Sequence, residues 1–189
     1  MKSIGIFCGS SAGVNPCYIQ TAQQVGKALA QANLTLVYGG GKVGLMGAVA
    51  DACLENGGHV IGVMPRALVE REIAHTGVTE LFVVDNMHER KTKMAQLSDG
   101  FIALPGGAGT LEEIFEQWTW AQLGIHEKPC AFLNVNGYYE PLHQMVLNMV
   151  GEGFMHSRYG DMLPFAEDIE RILQGFNTYT PPERKWVQK

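Results

Sequence analysis

Among the four cysteines, Cys8, Cys17, Cys53 and Cys130, no two stand at C-x-x-C spacing, and none of the six histidines falls into H-E-x-x-H. A zinc site is therefore not expected, and no other residue pattern requires a metal or a cofactor. Met1-Lys2-Ser3 leads straight into a strand-like run without a signal-peptide pattern, so the thiols read as reduced and the chain as cytoplasmic. No stretch approaches the roughly 20 apolar residues of a membrane span, so a membrane is not an expected partner. Positive charge is also scarce. The 189 residues carry a formal charge of -5, which argues against nucleic acid as a partner. No linker, internal repeat or low-complexity tract divides the chain, and the length suits one domain over residues 1–189, with a polar tail from Thr180 to Lys189.

What the chain does have is a regular alternation. Short apolar runs at Ser3–Cys8, Leu34–Tyr38, His59–Val63, Thr79–Val84, Gly100–Leu104 and Pro129–Val135 read as strands. Between and after them, helical spacing marks Pro16–Ala32, Leu45–Asn56, Met87–Leu97, Thr110–Leu123, Tyr139–Glu152 and Glu167–Gln174. Arg66–Gly77 reads as a loop with some helix. Strands alternating with helices predict parallel pairing with right-handed crossovers, a doubly wound sheet in a three-layer α/β/α fold. Ligands of such sheets bind beyond the carboxyl ends of the strands.

Three glycine-rich turns follow expected strands and should open on that edge: Gly9-Ser10-Ser11, Gly39-Gly40-Gly41 and Pro105-Gly106-Gly107-Ala108-Gly109. The second matches GxGxxG at Gly39, Gly41 and Gly44, but the next strand ends in Val63-Met64-Pro65 rather than the acidic residue a dinucleotide ribose requires. Lys42 is followed by Val43, so the turn is no Walker A loop either. It reads as a tight packing turn or a mononucleotide site. The third turn runs into Thr110-Leu111-Glu112-Glu113, which permits two readings. One is a capping box, with Thr110 capping the helix and Glu113 bonding back. The other is an anion cradle at a helix N-terminus, which leaves a carboxylate available for chemistry. Beyond the fourth strand, Met87-His88-Glu89-Arg90-Lys91 is either a solvated charged face or a phosphate grip in which Arg90 forks onto the anion.

Together these stretches resemble the LOG family of cytokinin-activating phosphoribohydrolases, often mislabelled as lysine decarboxylases. The family signature PGGxGTxxE is present in full from Pro105 to Glu113, alongside the Arg90-Lys91 pair. Tyr38–Gly47, Trp120–Gly124 and Asn134–Tyr139 are also similar to the family, so the likeness runs from Ile4 to about Phe154. The resemblance implies a Rossmann-like, doubly wound homodimer that hydrolyses the N-glycosidic bond of a purine nucleoside 5′-monophosphate, with Arg90 and Glu113 catalytic. It also implies substrate contacts from Lys91, Gly106, Gly107, Ala108, Gly109, Thr110, Leu111 and Glu112, and more approximately from Glu72 and Thr119, while the glycine turns expected on the same edge add Gly9, Ser10, Gly40 and Gly41. A decarboxylase of the usual type needs pyridoxal phosphate on a lysine, and nothing in the sequence marks one. The competing functional reading is a carrier that holds a nucleotide or phosphorylated cofactor without cleaving it. A nicotinamide oxidoreductase lacks the expected ribose carboxylate.

Overall fold

The computed structural model describes residues 1–71 and 73–183, so the expected contact Glu72 and the 184–189 portion of the polar tail lie outside the described residues. The apolar runs form β1 (Ser3–Phe7), β2 (Thr35–Tyr38), β3 (Val60–Pro65), β4 (Glu80–Val84), β5 (Phe101–Ala103) and β6 (Cys130–Leu133). A two-residue β7 (Phe165–Ala166) completes one sheet in the order β4-β3-β2-β1-β5-β6-β7, with every pairing parallel. The expected doubly wound architecture is present. Because β1 leads outward to β2 on one side while β5 pairs on its other side, the order reverses between β1 and β5. A reversal of this kind opens a crevice at the carboxyl edge.

The helices are α1 (Cys17–Gln31), α2 (Gly44–Glu55), α3 (Arg66–Val69), α4 (Met87–Leu97), α5 (Ala108–Leu123), α6 (Glu140–Gly151), α7 (Ser157–Asp161) and α8 (Ile169–Asn177). Strand alternation sorts them into two cores. Ile4 and Ile6 of β1 with Leu36 and Tyr38 of β2 pack against Val25 and Leu29 of α1, Val49 of α2 and Ile172 of α8. Phe7, Val37 and Phe101 turn to the opposite face and meet Met94 of α4, Ile114 and Trp118 of α5 and Val146 of α6. The strand and α-helix missing from the sequence reading, β7 and α7, are two and five residues long. Elements that short carry no readable period.

Two local outcomes position the site. Gly44, at φ +58°, brings its backbone so close to the turn after β1 that a Cβ would lie 2.3 Å from the Ser10 carbonyl carbon. Leu45 N–H also donates to Gly9 C=O at 3.0 Å. The third glycine of GxGxxG therefore serves turn-on-turn packing. The expected loop 66–77 folds back over the same turn: Gly41 bridges Ala74, Lys42 N–H donates to Ile73 C=O at 3.0 Å, and His75 N–H donates to Gly40 C=O at 2.8 Å.

Candidate active site

Helix α5 overturns the capping-box reading of the third turn. It begins at Ala108, two residues earlier than its apolar spacing suggests, and its N-cap is Gly107, with no side-chain cap. Thr110 is thus already inside the first turn, buried at 4%, and Glu113 lies beyond the cap. The glycines explain the shift, since a Gly N-cap starts a helix without a side-chain oxygen. The first-turn amides of α5 have no helical acceptor and receive no side-chain cap. Gly107 and Gly109 have nothing within 4 Å of a hypothetical Cβ, and neither has a positive φ. The fold itself therefore does not demand glycine at either position. What their absence of side chains provides is open space above the positive end of α5, where an anion fits.

That space belongs to a cleft of about 240 Å³, lined by Gly9, Ser10, Gly39, Arg90, Gly107, Gly109, Thr110, Glu112 and Glu113 together with Cys8, Met46 and Met87. A neighbouring cleft of about 330 Å³ shares Gly9, Ser10 and Gly107 and is walled by Tyr18, Leu45, Pro105, Gly106 and Tyr138. Turns after β1, β2 and β5 and the start of α4 thus meet at one edge, as the strand pattern predicts. Gly40 and Gly41 do not line the 240 Å³ cleft; they are buried and pair with segment 73–75. Ala108 and Leu111 flank the open turn without lining it, Leu111 packing into the core beneath. Thr119 is exposed on α5, on the helical face of Glu112 and Glu116 and outside the lining.

The first turn of α4 delivers the positive charge. Asn86 caps this helix by accepting from Glu89 N–H, which fixes the turn that carries Arg90 and Lys91 inward. Both are buried rather than solvated. Arg90 donates from Nε to Val63 C=O and from Nη2 to Gly39 C=O, each at 3.1 Å, and its Nη1 lies 3.7 Å from Glu113 Oε1. Lys91 is held by Glu112 and by Glu116, the latter at 3.1 Å. Its charge is therefore committed within the protein, and the hydrogen bond it donates to Glu112 is the largest influence raising its pKa.

Glu113 is 9% exposed. Burial pushes its pKa up, the Arg90 guanidinium pulls it down, and Glu112 adds to the rise. A buried carboxylate beside one arginine, facing a cleft, is poised to stabilise positive charge or to take a proton. Cys8 lies in the same lining, and burial, reinforced by Glu113, raises its thiol pKa far above the ordinary range, so it is an inert wall.

Gly39 is the residue that sequence reasoning passed over. A Cβ there would fall 1.8 Å from Arg90 Nη2, so glycine is what lets the guanidinium lie across β2. Its place in a glycine run hid it, although it is the first residue past the strand, where a ligand-edge contact is expected. Gly39→Ala should expel the guanidinium from its two carbonyls. A crystal structure of that variant with both hydrogen bonds intact would refute this account.

Residues 46–176 match the family model described as "Possible lysine decarboxylase". A cytokinin riboside 5′-monophosphate phosphoribohydrolase of Rhodococcoides fascians is 49% identical over 173 residues, covering 91% of this chain and 87% of its own length. One from Arabidopsis thaliana is 46% identical over 188 residues, covering 100% of this chain and 88% of its own. Among solved structures, the molybdenum cofactor binding protein of Rippkaea orientalis superposes with a TM-score of 0.71 at 20% identity, over 94% of this chain and 96% of that one. A molybdenum cofactor carrier protein of Chlamydomonas reinhardtii gives 0.71 at 21% identity over the same shares. At that identity the likeness shows the fold alone. With nearly half of its residues shared across almost its whole length, this chain belongs to the LOG family of cytokinin riboside 5′-monophosphate phosphoribohydrolases.

Proposed function

We propose that the protein hydrolyses the N-glycosidic bond of a purine nucleoside 5′-monophosphate, releasing the free base and ribose 5-phosphate. The observation that carries this reading is one cleft holding both an open helix N-terminus and, one turn further along α5, the buried carboxylate of Glu113. The 5′-phosphate binds at the amides of Gly107 to Thr110, where the α5 dipole and the space above Gly107 and Gly109 favour it. Phosphate held there sets C1′ near Glu113, turning remote binding energy into position at the reacting bond.

Cleavage of the bond between C1′ and the base builds positive charge on the ribose. Glu113 stabilises that charge and takes a proton from the attacking water, for which a carboxylate whose basicity is raised by burial is suited. Arg90, fixed by two backbone carbonyls, orients the nucleotide through its Nη1 edge. Glu112, exposed and oriented by Lys91, accepts from ribose hydroxyls. Lys91 then acts chiefly through Glu112 rather than as a free cation at the phosphate. The family resemblance adds a homodimer in the cytoplasm; among the described residues, no helix is long and apolar enough to cross a membrane.

Incubation with AMP and with isopentenyladenosine monophosphate, followed by chromatography for free base, tests the reaction. We expect base from the monophosphates and none from the corresponding nucleosides. Folded protein that binds these nucleotides yet releases no base would instead favour a carrier.

A further inference from the structure

The motif Asn134-Val-Asn-Gly-Tyr-Tyr139 plays no part in the reaction just described, yet it reaches the phosphate turn directly. It follows β6 as a 3-10 turn in which Asn136 and Gly137 both have positive φ, +52° and +69°. Asn134 Oδ1 accepts from Tyr139 N–H at 2.7 Å, closing the turn so that two consecutive tyrosines reach the segment just past β5. Tyr139 is buried, with its ring edge-on to Phe132 at 4.5 Å, and its hydroxyl donates to Leu104 C=O at 2.6 Å. Tyr138 is half-exposed, rests against Tyr18 at 5.9 Å, and donates to Gly106 C=O at 2.7 Å. Between them, Pro105 C=O accepts from Gly9 N–H at 3.0 Å.

Three successive carbonyls entering the glycine turn are thus each held by a donor from outside it. A carbonyl that swung toward the cleft would oppose an anion there with its negative end. Engaged as they are, all three are held on neighbouring elements, and the amides that follow remain for the ligand. We infer that Tyr138 is a positioning residue for 5′-phosphate recognition, acting through the Gly106 carbonyl to hold the turn in its anion-binding form. This rests on the phosphate placement proposed above. Tyr138 is the informative member of the pair because its hydroxyl can be removed at a half-exposed site, whereas Tyr139 also carries core packing.

Tyr138→Phe keeps the ring against Tyr18 and loses the bond to Gly106. With AMP, KM should rise about fivefold to tenfold, as the loss of one ordinary hydrogen bond would give, while kcat changes by less than about twofold. By calorimetry, the Kd for ribose 5-phosphate should rise by the same factor, and the affinity for adenosine, which lacks the phosphate, should not change. The thermal melting temperature serves to confirm that the variant is folded. An unchanged affinity for ribose 5-phosphate, or an equal loss for adenosine, overturns the inference. The two readings fail separately. Wild type that releases base while Tyr138→Phe keeps the wild-type KM defeats this inference alone. Wild type that binds ribose 5-phosphate in a Tyr138-dependent way but releases no base defeats the hydrolase alone.

Discussion

Glu113→Gln should abolish most turnover, lowering kcat for base release from AMP by about 100- to 10,000-fold, while the Kd for AMP stays within a few-fold of wild type. Glutamine keeps the shape of the side chain and its place on the buried face of α5. It cannot carry the negative charge that opposes charge on the ribose, nor take a proton from water. Single-turnover chromatography and nucleotide titration separate the two effects. Wild-type turnover in the variant would reduce Glu113 to a structural residue, since a cap role is already excluded by the start of α5 at Ala108. The same substitution should raise thermal stability above the usual carboxylate range of pH. A carboxyl whose folded pKa is raised favours folding below its unfolded pKa and loses that contribution as pH rises through the folded value. Once ionised, the desolvated Glu113 weakens the fold, and a neutral amide relieves it. Activity and stability should move in opposite directions.

Arg90→Met is expected to have the second-largest effect. It preserves much of the buried stem while removing the fork that reaches Val63, Gly39 and Glu113. If the guanidinium anchors the nucleotide, KM for AMP rises roughly 10- to 100-fold, in line with charge-assisted bonds of about 1.5–3 kcal/mol, and kcat falls less. A fall in kcat with KM unchanged would assign Arg90 to the departure of the base instead. A pH profile gives an independent reading. Arg90 holds the Glu113 pKa down against burial, so its loss lets that pKa climb. The acid limb of kcat should therefore move to higher pH in Arg90→Met and remain nearer its original position in Arg90→Lys. An unmoved limb in Arg90→Met would separate Glu113 from the group titrating in kcat.

The alternation of apolar runs was enough to find six of the seven strands and the edge on which the glycine turns gather, because parallel strands buried on both faces leave continuous apolar signals. It also brought Arg90 and Glu113 to the same edge from elements with no local connection. Contacts set by backbone approach were not legible. Nothing local says that Arg90 rests on Gly39, that Gly44 presses on Ser10, or that Lys91 is consumed by Glu112 and Glu116. The start of α5 was misjudged for a related reason. Thr110 and Glu113 fit a capping pattern by type and spacing, but Ala108 and Gly109 ahead of them are already helical, behind an extended Gly107 that serves as N-cap. Gly40 and Gly41 illustrate the converse: they belong to a glycine-rich turn at the ligand edge, yet segment 73–75 covers them.

The β1–β5 seam has a consequence for the order of assembly. It pairs Gly5 with Phe101, about 96 residues apart, and the pocket exists only where these two strands meet. A nascent chain that has released β1 to β4 can form half of the sheet but has no phosphate turn to set beside Gly9. Closing so long a loop is entropically costly and tends to be slow, so the pocket should mature late. A nucleotide that binds only the closed seam then stabilises both halves of the sheet together, by an amount set by its concentration relative to Kd. In this protein, ligand-dependent protection of β1 amides from hydrogen exchange would report that the sheet has been joined.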